Sequence, residues 1–150
     1  MTLEQQFITG IQILLAAILS MIIGMDRERH QKPAGLRTHM LTGVGACLFT
    51  ALSYHAFPSG DPTRIASTVV TGIGFLGAGT IIQRNDHAHE LTTAASIWAT
   101  AAVGMAVGTM SWLIAIIGTI IIWTILVVIR KFEHEKSEPE RDSALNVGDG

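Results

Sequence analysis

One cysteine, Cys47, stands in 150 residues. No intrachain disulfide can form, and a secreted disulfide scaffold is excluded. Charge is scarce as well: Asp, Glu, Lys and Arg make up 15% of the chain, against roughly 25% in soluble domains. The deficit is concentrated in runs. Residues 5–25, 38–60 and 65–83 hold no charged side chain, and residues 91–129 extend for 39 positions without one. Neither sign dominates, with Lys+Arg 10 against Asp+Glu 12, so there is no basic footprint for nucleic acid. A soluble one-domain enzyme does not fit this pattern.

A bilayer core takes about 20 apolar residues per helix, so the charge-free runs allow five crossings, two of them within residues 91–129. The spans expected from the sequence are 7–25, 39–57, 64–82 and the two halves of the last run, reversing at Gly108-Thr109-Met110-Ser111. The fold class is therefore all-α, a polytopic bundle of about five transmembrane helices. A polar segment, 26–37, follows the first span, and a hydrated loop, QRNDHAHE, follows the third. The first residues carry Glu4 and no Lys or Arg, the reverse of a secretory leader, so the first span is expected to stay uncleaved. Two regions are expected: a transmembrane domain, 1–130, and a charged, disordered cytoplasmic tail, 131–150.

Lys and Arg set the expected orientation. With the N-terminus outside, Arg27, Arg29, Lys32, Arg37, Arg84, Arg130, Lys131, Lys136 and Arg141 all lie inside, and Arg64 alone lies outside. That nine-to-one bias gives an outer N-terminus and a cytoplasmic C-terminus for a multi-pass membrane protein. Trp112 then falls at an outer turn, where an interfacial tryptophan sits well.

Gly72-Ile73-Gly74-Phe75-Leu76-Gly77 matches a dinucleotide-binding glycine pattern, but that pattern carries meaning only between a strand and a helix. In a membrane-length run, Gly72, Gly74, Gly77 and Gly79 read as a small face for close helix packing. Gly104 and Gly108, a true G-x-x-x-G, do the same, within the chain or between copies. Thr92, Thr93, Ser96 and Trp98 mark a polar helix face. Thr92 or Thr93 is a plausible N-cap, and Ser96 with Thr100 is placed to bond across helices.

Asp26-Arg27-Glu28 with Arg37 is the candidate functional charge cluster. Alternating charges at a helix end commonly serve as a solvated stop. The alternative is a pairing of Arg37 with Asp26 or Glu28 across the first two helix ends, clamping them or receiving an ionic ligand. Asp86-His87-Ala88-His89-Glu90 has the look of a metal cluster without a rigid frame or a distant ligand, so no metal and no cofactor are expected. No acid or base lies at the centre of any span, where ion pathways usually place one.

Together these segments resemble the MgtC/SapB family of bacterial inner-membrane proteins. The resemblance rests on Gly24-Met25-Asp26-Arg27-Glu28, on Lys32-Pro33-Ala34-Gly35-Leu36-Arg37-Thr38-His39, and on Gly72 through Gly79. It continues in Leu91-Thr92-Thr93-Ala94-Ala95-Ser96-Ile97-Trp98 and in Ala101-Ala102-Val103-Gly104, in family order over about residues 7–130. The family places a glycine before the Leu-Thr-Thr stretch where this chain has Glu90. Many members also carry a soluble C-terminal domain where this chain has a short charged tail. The resemblance implies adaptation to low magnesium, survival inside host cells and, in some members, restraint of the membrane ATP synthase. Two functions stay open. One is a non-enzymatic regulator, partnered by the lipid bilayer, by copies of itself and by another membrane protein such as ATP synthase or a transporter. The other is a small oligomeric ion channel or transporter, with magnesium as a candidate ion. No feature favours an enzyme.

Overall fold

The computed structural model describes residues 1–56, 60–84 and 87–130. Five helices carry the fold: α1 Leu3–Arg29, α2 Leu36–His55, α3 Pro62–Ala78, α4 Leu91–Gly108 and α5 Trp112–Thr124, which runs on into a π-helical turn, Ile125–Ile129. Three helical stretches, Leu3–Arg29, Leu91–Gly108 and Trp112–Ile129, are long and apolar enough to cross a membrane. The tail expected at 131–150, and Asp86 in the expected loop, lie outside the described residues.

Several boundaries differ from the sequence expectation, each for a local reason. Asp26–Arg29 does not open a polar segment but completes α1, because Asp26 and Arg27 find partners at their own depth. The helix stops where Gln31 turns left-handed, at φ 50°. Its start is a full capping box, in which Thr2 accepts from Gln5 N and the Gln5 side chain accepts from Thr2 N. Likewise α2 begins at Leu36, three residues earlier than expected, so Arg37 lies in its first turn. At the head of α3, Asp61 caps Thr63 N at 2.9 Å with Pro62 just inside the helix. The Thr63 hydroxyl donates to the same carboxylate at 2.6 Å, and these bonds hold Asp61 below the usual carboxylate pKa.

The third helix ends at Ala78 rather than near residue 82, and the hydrated loop expected beyond it is a short antiparallel hairpin. Its strands, β1 Ile82–Arg84 and β2 His87–His89, pair Ile82 with His89 and Arg84 with His87. The reversal between α4 and α5 falls where the sequence placed it, and Met110 makes it by turning left-handed, φ 65°.

Helix α4 is the hub, touching α1, α2, α3 and α5. Around it the usual order of a soluble protein is inverted. The interior is rich in small residues (Ala16, Ala46, Cys47, Ala51, Ala101, Ala115) and hydroxyl side chains around a few aliphatics such as Ile23, Ile97 and Val107, while Phe7, Leu14, Leu113, Ile114 and Ile120 face outward. Lipid removes the hydrophobic gain of burying such residues, so helices associate by close packing of small ones. At two crossings no Cβ fits. One added at Gly104 would run into the Gly43 carbonyl and come within 3.0 Å of the Gly43 Cα. One at Gly108 would lie 2.7 Å from the Cys47 carbonyl. Interior hydroxyls largely satisfy themselves: Thr50, Thr100 and Thr119 each donate to the carbonyl four residues back.

Candidate functional site

Charge gathers at one end of the bundle, where α1 ends, α2 and α4 begin, and the π-helical turn stops. Arg27 is 2% exposed. Its Nη2 donates to Thr93 Oγ1 at 2.7 Å, and that hydroxyl donates to Glu90 Oε2 at 2.6 Å. Thr93 thus relays between a guanidinium and a carboxylate. The Arg27 Nε has no hydrogen-bond partner among the described residues. Lys32 Nζ stands 3.7 Å from the other Glu90 oxygen.

Alongside, Asp26 and Arg130 form a two-pronged pair, Nη2 to Oδ1 at 2.8 Å and Nη1 to Oδ2 at 3.0 Å, joining the first and last spans. Asp26 holds the Arg130 guanidinium above its ordinary pKa, mainly through that hydrogen bond. His30 Nδ1 lies 2.7 Å from the Asp26 carbonyl, and since a carbonyl only accepts, this nitrogen carries the hydrogen. Glu28 does different work. Its Oε2 accepts from Leu36 N at 2.9 Å, capping α2 from α1, and a Cβ at Gly35 would collide with that oxygen.

The pairing of Arg37 with Asp26 or Glu28 does not occur. Arg37 is exposed and makes no ion pair among the described residues, and Arg130 takes the place expected of it. The topology explains the exchange. The end of the fifth span lies at the same end of the bundle as the end of α1, so Arg130 reaches Asp26, while Arg37 stays exposed on the first turn of α2. The N-cap of α4 is likewise Glu90 rather than Thr92 or Thr93, and Glu90 is left-handed at φ 65°, a conformation that costs a side-chain-bearing residue about 1–2 kcal/mol. Its bonds to Thr93 and Lys32 hold it there.

Deeper in, His39 is fully buried, with Nδ1 donating to the Gly35 carbonyl at 2.9 Å and Nε2 3.0 Å from Ser96 Oγ. The Ser96 hydroxyl also lies 2.8 Å from the Thr93 carbonyl, so its single hydrogen serves one of the two at a time. Thr100 bonds within α4 rather than across helices. Thr92 and Trp98 are exposed.

Among the expected packing glycines, Gly104 and Gly108 lie at helix crossings within the chain, and Gly77 packs on Ala94. Gly72 and Gly74 meet nothing within 4 Å, and a Cβ at Gly79 would touch only the carbonyls of its own helix. An apolar groove of about 480 Å³ runs between α2 and α3, lined by Phe49, Ile65, Val69, Gly72, Ile73 and Leu76 with Thr68.

Lys32 and Arg130 were read only as orientation signals, although the expected topology put Arg130 on the same side as Asp26, and Glu90 was noted only within the histidine-bearing loop and for standing where the family has glycine. Gln12 was missed too. It is fully buried, and its Nε2 donates to the Val107 carbonyl at 2.9 Å and to that of Gly108 at 3.1 Å, satisfying the free end of α4. A lone amide in an apolar run was its signal. Among the described residues no three His, Cys, Asp or Glu side chains stand close enough to share a metal ion.

An apolar exterior around a small, hydroxyl-rich interior, closed at one end by ion pairs, defines a polytopic membrane helix bundle. The chain belongs to the MgtC family, whose profile matches residues 13–135. It is 45% identical over 126 residues to YhiD of Escherichia coli K12, provisionally named a magnesium transporter, a match that covers 79% of this chain and 59% of that one. It is 37% identical over 143 residues to a protein of Haemophilus influenzae Rd, covering 87% of this chain and 60% of the relative. Protein MgtC of Salmonella typhimurium LT2 is 38% identical over 121 residues, covering 81% of this chain and 52% of its own. The chain thus spans between half and three fifths of the length of these relatives. No solved structure matches it.

Proposed function

We propose that this membrane protein supports growth at low magnesium by binding another membrane protein and altering its activity, rather than by catalysis. The observation that carries this reading is the outer face of α3. Gly72 and Gly74 stand open beside Thr68, Thr71 and Phe75, and the apolar groove runs along the same helix. Small residues that face no helix of their own chain let a helix of another chain approach to backbone distance. The tie to magnesium comes from the family and from the name carried by YhiD. The proposed setting is the bacterial inner membrane, N-terminus outside and charged end in the cytoplasm, on the Lys and Arg bias. Reporter fusions after Gly60 should read external and those after Ser143 internal. An internal signal at Gly60 overturns this topology.

Transport is the second reading, and a specific feature favours it. A buried polar seam follows α1, through Thr9, Gln12 and Ser20 to Asp26, and two of its atoms, Gln12 Oε1 and Ser20 Oγ, lack partners among the described residues. Flux separates the readings. Purified protein in liposomes loaded with a magnesium dye should show no uptake above empty vesicles. Cross-linking from a cysteine placed at Gly74 in native membranes should capture a second protein. Uptake that scales with protein, without such capture, overturns the regulatory reading.

A further inference from the structure

The charged end of the bundle holds a pocket of about 260 Å³, lined by Arg27, Lys32, Thr92 and Arg130 and walled by Ile125, Leu126 and Ile129. Its volume is several times the roughly 30 Å³ share of one water. Three of its four polar lining residues are cations. The carboxylates that answer them are Asp26, which holds Arg130, and Glu90, which takes Lys32 and, through Thr93, Arg27. Three positive groups thus meet two negative ones, leaving one positive charge over. The accessible cations are Lys32 and Arg130, since Arg27 is 98% withdrawn from solvent and its Nε is fully covered. A cavity lined by three cations that share two carboxylates, with a hydroxyl beside them, is a receptor for an oxyanion.

We propose that this pocket binds a phosphate group, with the phosphate oxygens taking the Lys32 ammonium, the Arg130 guanidinium and the Thr92 hydroxyl. The arrangement favours phosphate over a carboxylate because a tetrahedral anion can take donors from several directions at once, and these come from the α1–α2 turn, the end of the last span and the start of α4. The apolar wall favours an anionic phospholipid headgroup over free phosphate. Ile125 and Ile129 are half exposed on the lipid-facing side of the last span, where the first carbons of an acyl chain would lie. The wall is also the π-helical turn, a departure from regular helix that often sits at functional sites. Glu90 acts as the built-in competitor, a tethered anion occupying the same cations, and its left-handed backbone makes it replaceable by glycine without strain.

The test uses the full chain, delipidated in neutral detergent, with thermal stability and native mass spectrometry as readouts. The probes are phosphatidylglycerol, phosphatidylcholine and inorganic phosphate. Phosphatidylglycerol should raise the melting temperature and remain bound where phosphatidylcholine does not. Lys32→Glu, on a half-exposed side chain, should weaken that binding at least about tenfold, since each juxtamembrane cation contributes of the order of a few-fold to anionic-lipid affinity. Glu90→Gly should tighten it by a similar factor, an effect that damage to the fold could not mimic. Arg64→Glu, a charge reversal at the opposite end of the bundle, should leave it unchanged. Stabilisation by inorganic phosphate alone, with the same response to Lys32→Glu and Glu90→Gly, assigns the site to the free anion. Equal effects of both lipids, or binding that neither Lys32→Glu nor Glu90→Gly moves, overturns the proposal.

Discussion

Two helices of this bundle carry glycines at close spacing and meet opposite fates. On α4, Gly104 and Gly108 press against α2 so tightly that the backbone of Gly43 and of Cys47 occupies the space a side chain would need. On α3, Gly72 and Gly74 face open space. Composition alone does not separate the two. What separates them is position: α4 packs against four other helices, while α3 packs mainly on α2 and α4 and leaves most of its described residues exposed. A small-residue face therefore announces that a backbone can come close, without saying whose backbone it is. The charged residues repeat the contrast, with Asp26 closed on Arg130 and Arg37 open.

If that division is real, substitutions on its two sides should differ in kind. Gly104→Leu should have the largest effect. Overpacking costs about 1–3 kcal/mol where a core can give way, and here it meets main chain, so the variant should fail to accumulate as a folded species in detergent. A wild-type melting curve for it would dissolve the contrast. Asp26→Ala comes next, at about 2 kcal/mol by chemical denaturation in micelles. That is below the roughly 3–5 kcal/mol of a fully buried pair, because Arg130 keeps some contact with water. Gly74→Leu should leave the isolated protein within about 0.5 kcal/mol of wild type, yet abolish capture of a partner and growth at low magnesium. A destabilised monomer would show that α3 packs inward after all. Smallest of all is Arg37→Ala, within about 0.5 kcal/mol and with normal growth at low magnesium. A growth defect there would move Arg37 from the open to the functional side.

Much of this architecture was legible beforehand. The charge-free runs gave five helices, three of them of the length and apolarity a bilayer demands, and Gly108 through Ser111 gave the last reversal. The family motifs led to Asp26, Arg27, Thr93 and Ser96, all of which the structure brings to or near the charged end. Partnership was harder to read. Arg37 is eleven residues from Asp26 and was the nearer candidate along the chain. Arg130 is 104 residues from Asp26 and is brought to it by folding. The backbone of Glu90 did have a signal, because the family places a glycine there and glycine marks a left-handed turn; what holds a glutamate in that turn, Lys32 and Thr93, lies beyond local propensity. Gln12 could have been found, since an amide in an apolar helix needs a partner and the free carbonyls at the end of α4 offer one.

The pair between Asp26 and Arg130 also sets an order of events during synthesis. Asp26 enters the membrane with the first span, when its partner is still 104 residues from being made, and four further helices must take their places before Arg130 arrives. Until then the carboxylate stands at the membrane face with only His30 and Arg27 beside it. Closure of this pair thus waits on all five spans, and it reports that every earlier span has inserted in its proper direction. A chain with one helix misthreaded would deliver Arg130 to the opposite face, leaving an uncompensated acid that marks the product as incomplete.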